Sequence, residues 1–394
     1  MKRRPPLLPS PEVPPASRRD HAPRLFVLSL LLIGCQLVQT ETASAGAADT
    51  IRLRTLRFVD EEGTGGEAFR ILVPEGWTFS GGVQWMPDNP GLPATAAFQL
   101  AAPDGRSALQ VIPTQPFFWT NILGILSEHP RGSRYFGREV RPPTQPAEAL
   151  KRIVIPRFRP DVSHLKILEE RLLPDLASGL GAGILSQPGT EATASGGMVR
   201  IQYIQDGIEY EDHLYCVAQQ ILFNLPSPTG TRTNMMWNVG HVLSFRAEAG
   251  TFQDRAPILQ TLAYSFRWNP DWFNRYSRLV AFMMVHGLER LEDAAQLRRI
   301  LTHGIEEMSD EVQGYYREHQ QVYTRMAERF SFPAPGVEPY HDPLNREDVD
   351  LPSGFQGAWA NPLGEYLLSR DPAFTPDPGP DGEAWTRIRP IRAR

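Results

Sequence analysis

Cysteine is almost absent. The 394 residues hold two, Cys35 and Cys216, which excludes a disulfide-stapled scaffold and any cysteine-built zinc or iron–sulfur centre. Long apolar runs are missing too: none reaches the ~18 to 20 residues of a spanning helix, which excludes a polytopic membrane protein. The chain carries no G-x-S-x-G elbow, no P-loop, no G-x-G-x-x-G and no H-E-x-x-H. Serine hydrolase, nucleotide-dependent enzyme and zincin therefore lack their sequence signatures. What is present is a chain 41% hydrophobic and 22% charged, too apolar to be wholly disordered and long enough for two cores.

Charge is distributed unevenly. The whole chain has 40 basic and 45 acidic residues, a net of −5. Six basic residues lie within residues 1–24, so residues 36–394 hold 34 basic against 43 acidic, a net of −9. An acidic body repels phosphate backbones, and no nucleic-acid partner is expected. The basic leader runs into the apolar stretch Leu25 to Cys35, which together form a secretory signal over residues 1–35. Two exits are open. Leu32-Ile33-Gly34-Cys35 resembles a bacterial lipobox, which implies lipidation of Cys35 and a membrane anchor. Ala43-Ser44-Ala45 and Ala45-Gly46-Ala47 offer ordinary signal cleavage instead. Either way the expected location is the bacterial envelope, periplasmic or membrane-attached, with residues 36–50 as a tether and Cys216 as the sole thiol of the body.

Proline marks the boundaries. Residues 1–24 hold seven and residues 333–394 hold eleven of the 37, so both ends are expected to be extended or irregular. Between them, residues 51–270 read mainly as β structure. Phe69 to Val73 stops at Pro74-Glu75-Gly76-Trp77; Ala96 to Leu100 turns at Pro103-Asp104-Gly105 into Ser107 to Ile112. Met198 to Gln205 turns at Asp206-Gly207 into Ile208 to Phe223, the strongest hairpin signal in the chain. Asn234 to Glu248 is a further strand, and Asp254 to Phe266 a helix. This order, with its Pro-x-Gly-Trp and Pro-Asp-Gly turns, resembles the PsbP/Mog-type α-β-α sandwich. The resemblance implies protein–protein docking and brings no catalytic residues.

Residues 271–332 turn helical. Trp272, Tyr276, Leu279, Val280, Met283, Met284 and Leu291 share one stripe. Leu301, Ile305, Met308, Val312, Tyr315, His319, Val322 and Met326 alternate by four and three, the seam of a helix laid on an apolar surface. Gly336-Val337-Glu338, Tyr340, Asp342-Pro343, Leu351 to Phe355, and Ala358-Trp359 to Ser369 then resemble the C-terminal module of secreted bacterial envelope proteins without an assigned activity. Residues 333–394 are expected to be a Pro-rich docking tail.

Candidate chemistry is sparse. His303 and Glu307 share a helix face and could offer a metal one nitrogen and one oxygen, with Glu306 beside them and His286 and His319 on either side. A solvated His–Glu pair explains them more simply, and no metal, cofactor or catalytic residue is expected. Glu209, Glu211 and His213 alternate against Tyr210, Asp212, Leu214 and Cys216, as on a strand with one solvated face; Cys216 reads as a buried small hydrophobe. Trp359 and Tyr366, in a tail with little other apolar mass, must pin it to the body or contact a partner. The sum is an expected α+β fold: an antiparallel sheet sandwich flanked by helices, then an α-helical hairpin and an irregular C-terminal tail. The expected function is a non-enzymatic binding or assembly module with an envelope protein partner. The alternative is an envelope hydrolase with a composite site, metal-assisted at His303 and Glu307.

Overall fold

The computed structural model describes residues 50–178, 180, 190–227, 230–286, 309–328, 336–378 and 384–391. Three long strands dominate it: β10 (Thr190–Gln205), β11 (Ile208–Ser227) and β12 (Gly230–Glu248). Asp206 and Gly207 join the first two, both with positive φ, as the tight hairpin requires. On one side of this meander lie β5 (Ser107–Ile112), β4 (Ala94–Ala101) and β3 (Thr78–Trp85); on the other, β9 (Ser163–Leu172) forms the edge. Strand β6 (Gln115–Thr120) also pairs with β12 and carries β8 (Arg138–Val140) and β7 (Arg134–Tyr135), completing a ten-stranded curled sheet.

Alternation along β11 sends side chains into two different cores. Tyr215 and Val217 join a cluster with Phe69, Phe98 and Phe245, whereas Leu214 and Cys216 join one with Trp237 and Val239. The first cluster is roofed by helices α4 (Phe252–Ser265), α5 (Pro270–His286) and α6 (Asp310–Glu328). The second is covered by α2 (Pro146–Ala149), a π turn (Leu150–Val154) and α3 (Ile155–Phe158). A short α1 (Leu123–Glu128) buries nothing.

A second sheet has six strands. In order across it lie β13 (Arg267–Trp268), β2 (Glu67–Pro74), β1 (Thr50–Val59), β17 (Tyr366–Ser369), β16 (Gly357–Ala360) and β18 (Thr386–Ile388). A hairpin, β14 (Val337–Asp342) with β15 (Glu347–Pro352), packs on it.

The expected α+β sandwich flanked by helices is therefore wrong. The fold is mostly β, with 47% strand against 24% helix. Among the described residues there is no helical hairpin module either. Helix α6 lays Val322, Tyr323, Met326 and Ala327 into the cluster that holds Leu259 and Phe245, so it completes the core of the β body. Its described seam residues are inward, Val322 and Met326 fully so; Leu301, Ile305 and Met308 lie outside the described residues. The tail is not irregular: it supplies five strands, three of them in the sheet with β1. Its prolines misled the reading because edge and two-stranded positions tolerate them. Pro339 and Pro352 sit in the β14–β15 pair, and the Pro339 carbonyl accepts from Ile391 N–H at 2.8 Å.

Candidate functional site

The cavity of most chemical interest lies where β4 and β12 meet α5 and α6. Opposite β11, Leu243 pairs with Tyr215 but Gly240 pairs with Val217, so β12 carries one extra residue. This bulge holds His241 at φ +48°, a left-handed conformation that costs a non-glycine residue energy and redirects its side chain. The ring meets α6: His241 Nε2 and His319 Nδ1 are 2.9 Å apart, one donating and the other accepting. Their remaining nitrogens, Nδ1 of His241 and Nε2 of His319, are buried without a hydrogen-bond partner. Burial drives the His241 pKa down to about 4 and holds that of His319 well below the usual histidine range, so both rings are neutral at pH 7.

Rings wall the cavity. Trp268 stacks on Trp272 with centroids 4.9 Å apart, and Trp272 on Tyr276 at 5.3 Å. Tyr315 meets His319 edge-on at 4.1 Å. The stack is fixed from behind: buried Asp60 accepts Trp272 Nε1–H at 2.8 Å and Trp85 Nε1–H at 2.9 Å. Helix α6 fixes it from above, since Gln320 bonds both Trp268 N–H and the Phe266 carbonyl, and the Tyr316 hydroxyl donates to the Trp268 carbonyl. The cavity volume is about 100 Å³.

On the β6–β8 side the wall is polar. Asn238 lines the cavity, and its Oδ1 accepts from Arg138 Nη1 at 3.0 Å. Arg138 is 4% exposed; burial lowers its pKa to about 10, opposed by Tyr276. Asn89 is buried with both amide atoms unpartnered. Its turn abuts Gly137 so closely that a Cβ there would fall 2.4 Å from the Asp88 carbonyl oxygen, which reserves the position for glycine.

A second, more polar cavity of about 250 Å³ opens over β9, β10 and β11. Glu211 accepts from or pairs with His213 Nε2 at 2.8 Å, and the His213 ring stacks on Phe252 at 4.0 Å. Arg200 bridges Glu211 and Glu169, and Arg171 pairs with Glu169. Burial lowers the His213 pKa, with Glu211 opposing; the bond to His213 lowers that of Glu211. On the opposite face of β11, fully buried Asp212 pairs with Arg159 at 2.8 Å and accepts from Ser244 at 2.7 Å.

The residues singled out from sequence are scattered. Cys216 is buried in a β11 core, its thiol donating to the Pro146 carbonyl at 3.5 Å and its pKa pushed up by burial. Trp359 is buried beneath Arg387 and Phe374. Tyr366 is fully buried and donates to Asp342 at 2.9 Å; both rings pack within this chain. His319 is joined to His241. His303 and Glu307, with Cys35, Glu306 and the side chain of His286, lie outside the described residues. Among the described residues no three metal-type ligands converge. Reading by sequence missed His241, Arg138 and Asn89. Gly240, in the middle of an apolar strand, was the available signal for a bulge.

No protein-family model matches the chain, and no curated protein does. The chemistry of the site therefore rests on its geometry alone.

Proposed function

We propose that this protein is a non-enzymatic binding module of the bacterial envelope, and that it holds a small molecule in the cavity between β12 and α6. The observation that supports this is the coincidence of aromatic walls with buried imidazole nitrogens that have no protein partner. Native proteins satisfy nearly all buried polar atoms, and ligand sites are mainly apolar cavities with a few converging polar groups. The strained His241 backbone fits the same reading, because such outliers concentrate at ligand sites. Export rests on the leader and on Cys35 or the Ala43–Ala47 cleavage sites.

The test is a melting screen of the purified protein against single-ring compounds of each charge type, followed by tryptophan fluorescence for any that stabilise it. Binding at this cavity quenches or shifts Trp268 and Trp272 emission. If no compound raises the melting temperature, the reading fails. Envelope fractionation tests the address: wild type sediments with membranes and Cys35→Ala releases it if the lipobox is used, whereas a cytoplasmic full-length chain overturns export.

One observation favours the hydrolase alternative. His213 and Glu211 form an imidazole–carboxylate pair in a concave, charged site, the arrangement of an oriented general base. Among the residues lining that cavity Tyr215 has the sole hydroxyl, and burial keeps it protonated by raising its pKa, so water would have to be the nucleophile. Hydrolysis of a generic ester that is lost in His213→Gln would establish this alternative.

A further inference from the structure

We propose that the ligand of the β12–α6 cavity is a small planar carboxylate, one ring with an attached carboxyl group, recognised through the field of Arg138 and the amide of Asn238. The inference rests on the binding reading above and adds the charge and shape of the ligand.

Charge comes from a comparison within the molecule. Among the described residues two arginines are deeply buried, Arg159 at 8% and Arg138 at 4% exposure. Arg159 is matched by the fully buried carboxylate of Asp212, with Nε and Nη2 both on Oδ2. Arg138 meets only the neutral Asn238 amide, and no carboxylate among the described residues pairs with it. A buried charge without a counterion is destabilising by several kcal/mol. The fold keeps it next to a cavity that lacks any carboxylate of its own. Both histidines there are neutral, so the local field is positive, which excludes a cationic guest despite the aromatic walls. Arg138 occupies Oδ1 of Asn238, which leaves the Nδ2 donors of that amide for a guest. The buried nitrogens of His241 and His319 add groups able to donate to or accept from it.

Shape comes from the walls. Trp268, Trp272 and Tyr276 stack on one another with interplanar angles of 13° and 9°, so Trp272 has both faces covered and can present only its edge, the positive side of the ring quadrupole, to a flat guest. A volume of about 100 Å³ matches the scale of a single ring. Inorganic phosphate would set charged oxygens against apolar rings on every side but that of Arg138 and Asn238, a desolvation cost that the ring of a carboxylate guest does not carry.

The experiment compares three probes on the purified protein by titration calorimetry and tryptophan fluorescence: benzoate, its neutral counterpart benzyl alcohol, and inorganic phosphate. Benzoate is expected to bind at least about tenfold more tightly than benzyl alcohol, and phosphate not at all. Asn238→Asp supplies Arg138 with an internal counterion; it should raise the melting temperature and abolish benzoate binding. Arg138→Gln should act alike on binding, so that failure of either variant to fold leaves the other as the test. Benzoate affinity unchanged in both variants overturns the assignment, as does phosphate binding that competes with benzoate. Benzyl alcohol binding as well as benzoate overturns the charge selectivity but leaves the binding reading standing; silence from every probe sinks both.

Discussion

His241 and His319 face each other at 2.9 Å across the seam between β12 and α6, with their outer nitrogens buried and unpartnered. The contact holds a helix to a sheet through two neutral imidazoles that cannot both remain so in acid. Tyr315 and Tyr323 pack against the pair, and Arg325 is the charged group that acts on it, disfavouring protonation further.

The sign of the pH dependence follows. The folded pKa of His241 lies near 4, below the ordinary value of 6.5, so between those limits the unfolded chain binds more protons. Stability is complete above pH 6.5 and falls as pH drops toward 4. His241 alone accounts for about 2 kcal/mol by pH 5, and His319 and His213 act in the same direction. Urea midpoints measured at pH 7.5 and 5.0 should differ accordingly. The difference should shrink in His319→Leu, which removes one titrating ring. Equal pH dependence in that variant would show that the pair does not govern it.

Asp60 is expected to matter more than its place in a surface turn suggests. It takes the indole N–H of Trp85 and Trp272 and the backbone N–H of Gly63 and Thr64. Asp60→Ala strands buried donors at about 1–3 kcal/mol each, so a loss of several kcal/mol in chemical denaturation is expected. Because Trp272 walls the cavity, its emission should redden even where the variant remains folded. Wild-type stability would mean that water replaces the carboxylate.

Asp212 and Arg159 provide a contrast of single and double variants. Removing either alone leaves a buried charge and should cost about 3–5 kcal/mol. Replacing both, Arg159→Met with Asp212→Leu, should recover much of the loss, because desolvation of the pair offsets its attraction. Ser244 Oγ and Gln110, which also bond the pair, limit how complete the recovery is. Additive single losses in the double variant would show that the two side chains are not energetically coupled.

Much of the β body was legible because its signals are local. Asp206-Gly207 specified the β10–β11 hairpin, and alternation set Glu209, Glu211 and His213 opposite Tyr210, Asp212 and Leu214; the expected solvated face ends at Glu211, since His213 is buried and Tyr215 and Val217 on the same side enter a core. The cavity was not legible, since His241 and His319 are 78 residues apart and meet only through a bulge that one glycine hints at. Arg138 reads as an ordinary surface arginine, because nothing in its neighbours reveals that β8 is enclosed. The tail was misjudged for a related reason. Its strands are short and some contain prolines, and three of them enter the sheet through the pairing of β17 with β1, more than 300 residues earlier.

That pairing sets the last expectation. Thr50 pairs with Ser369 and Leu53 with Tyr366, so the tail covers one edge of β1 from Thr50 to Leu53. Tyr366 is further fixed by its hydroxyl on Asp342, a carboxylate that also holds the Leu344 and Asn345 N–H groups. Tyr366→Phe should therefore cost only about 1–2 kcal/mol, since Asp342 keeps its other donors. Trp359→Ala empties a buried site and should cost about 3–5 kcal/mol. Truncation after Phe332 does something different in kind: it strips β17, β16 and β18 from the sheet and bares the edge of β1, a template for pairing between molecules. The truncated chain should melt lower and aggregate on heating, with light scattering rising before the far-ultraviolet signal is lost. If it instead melts as wild type does and stays monodisperse in sedimentation, β1 does not need the tail, and residues 333–394 are held by the body without supporting it.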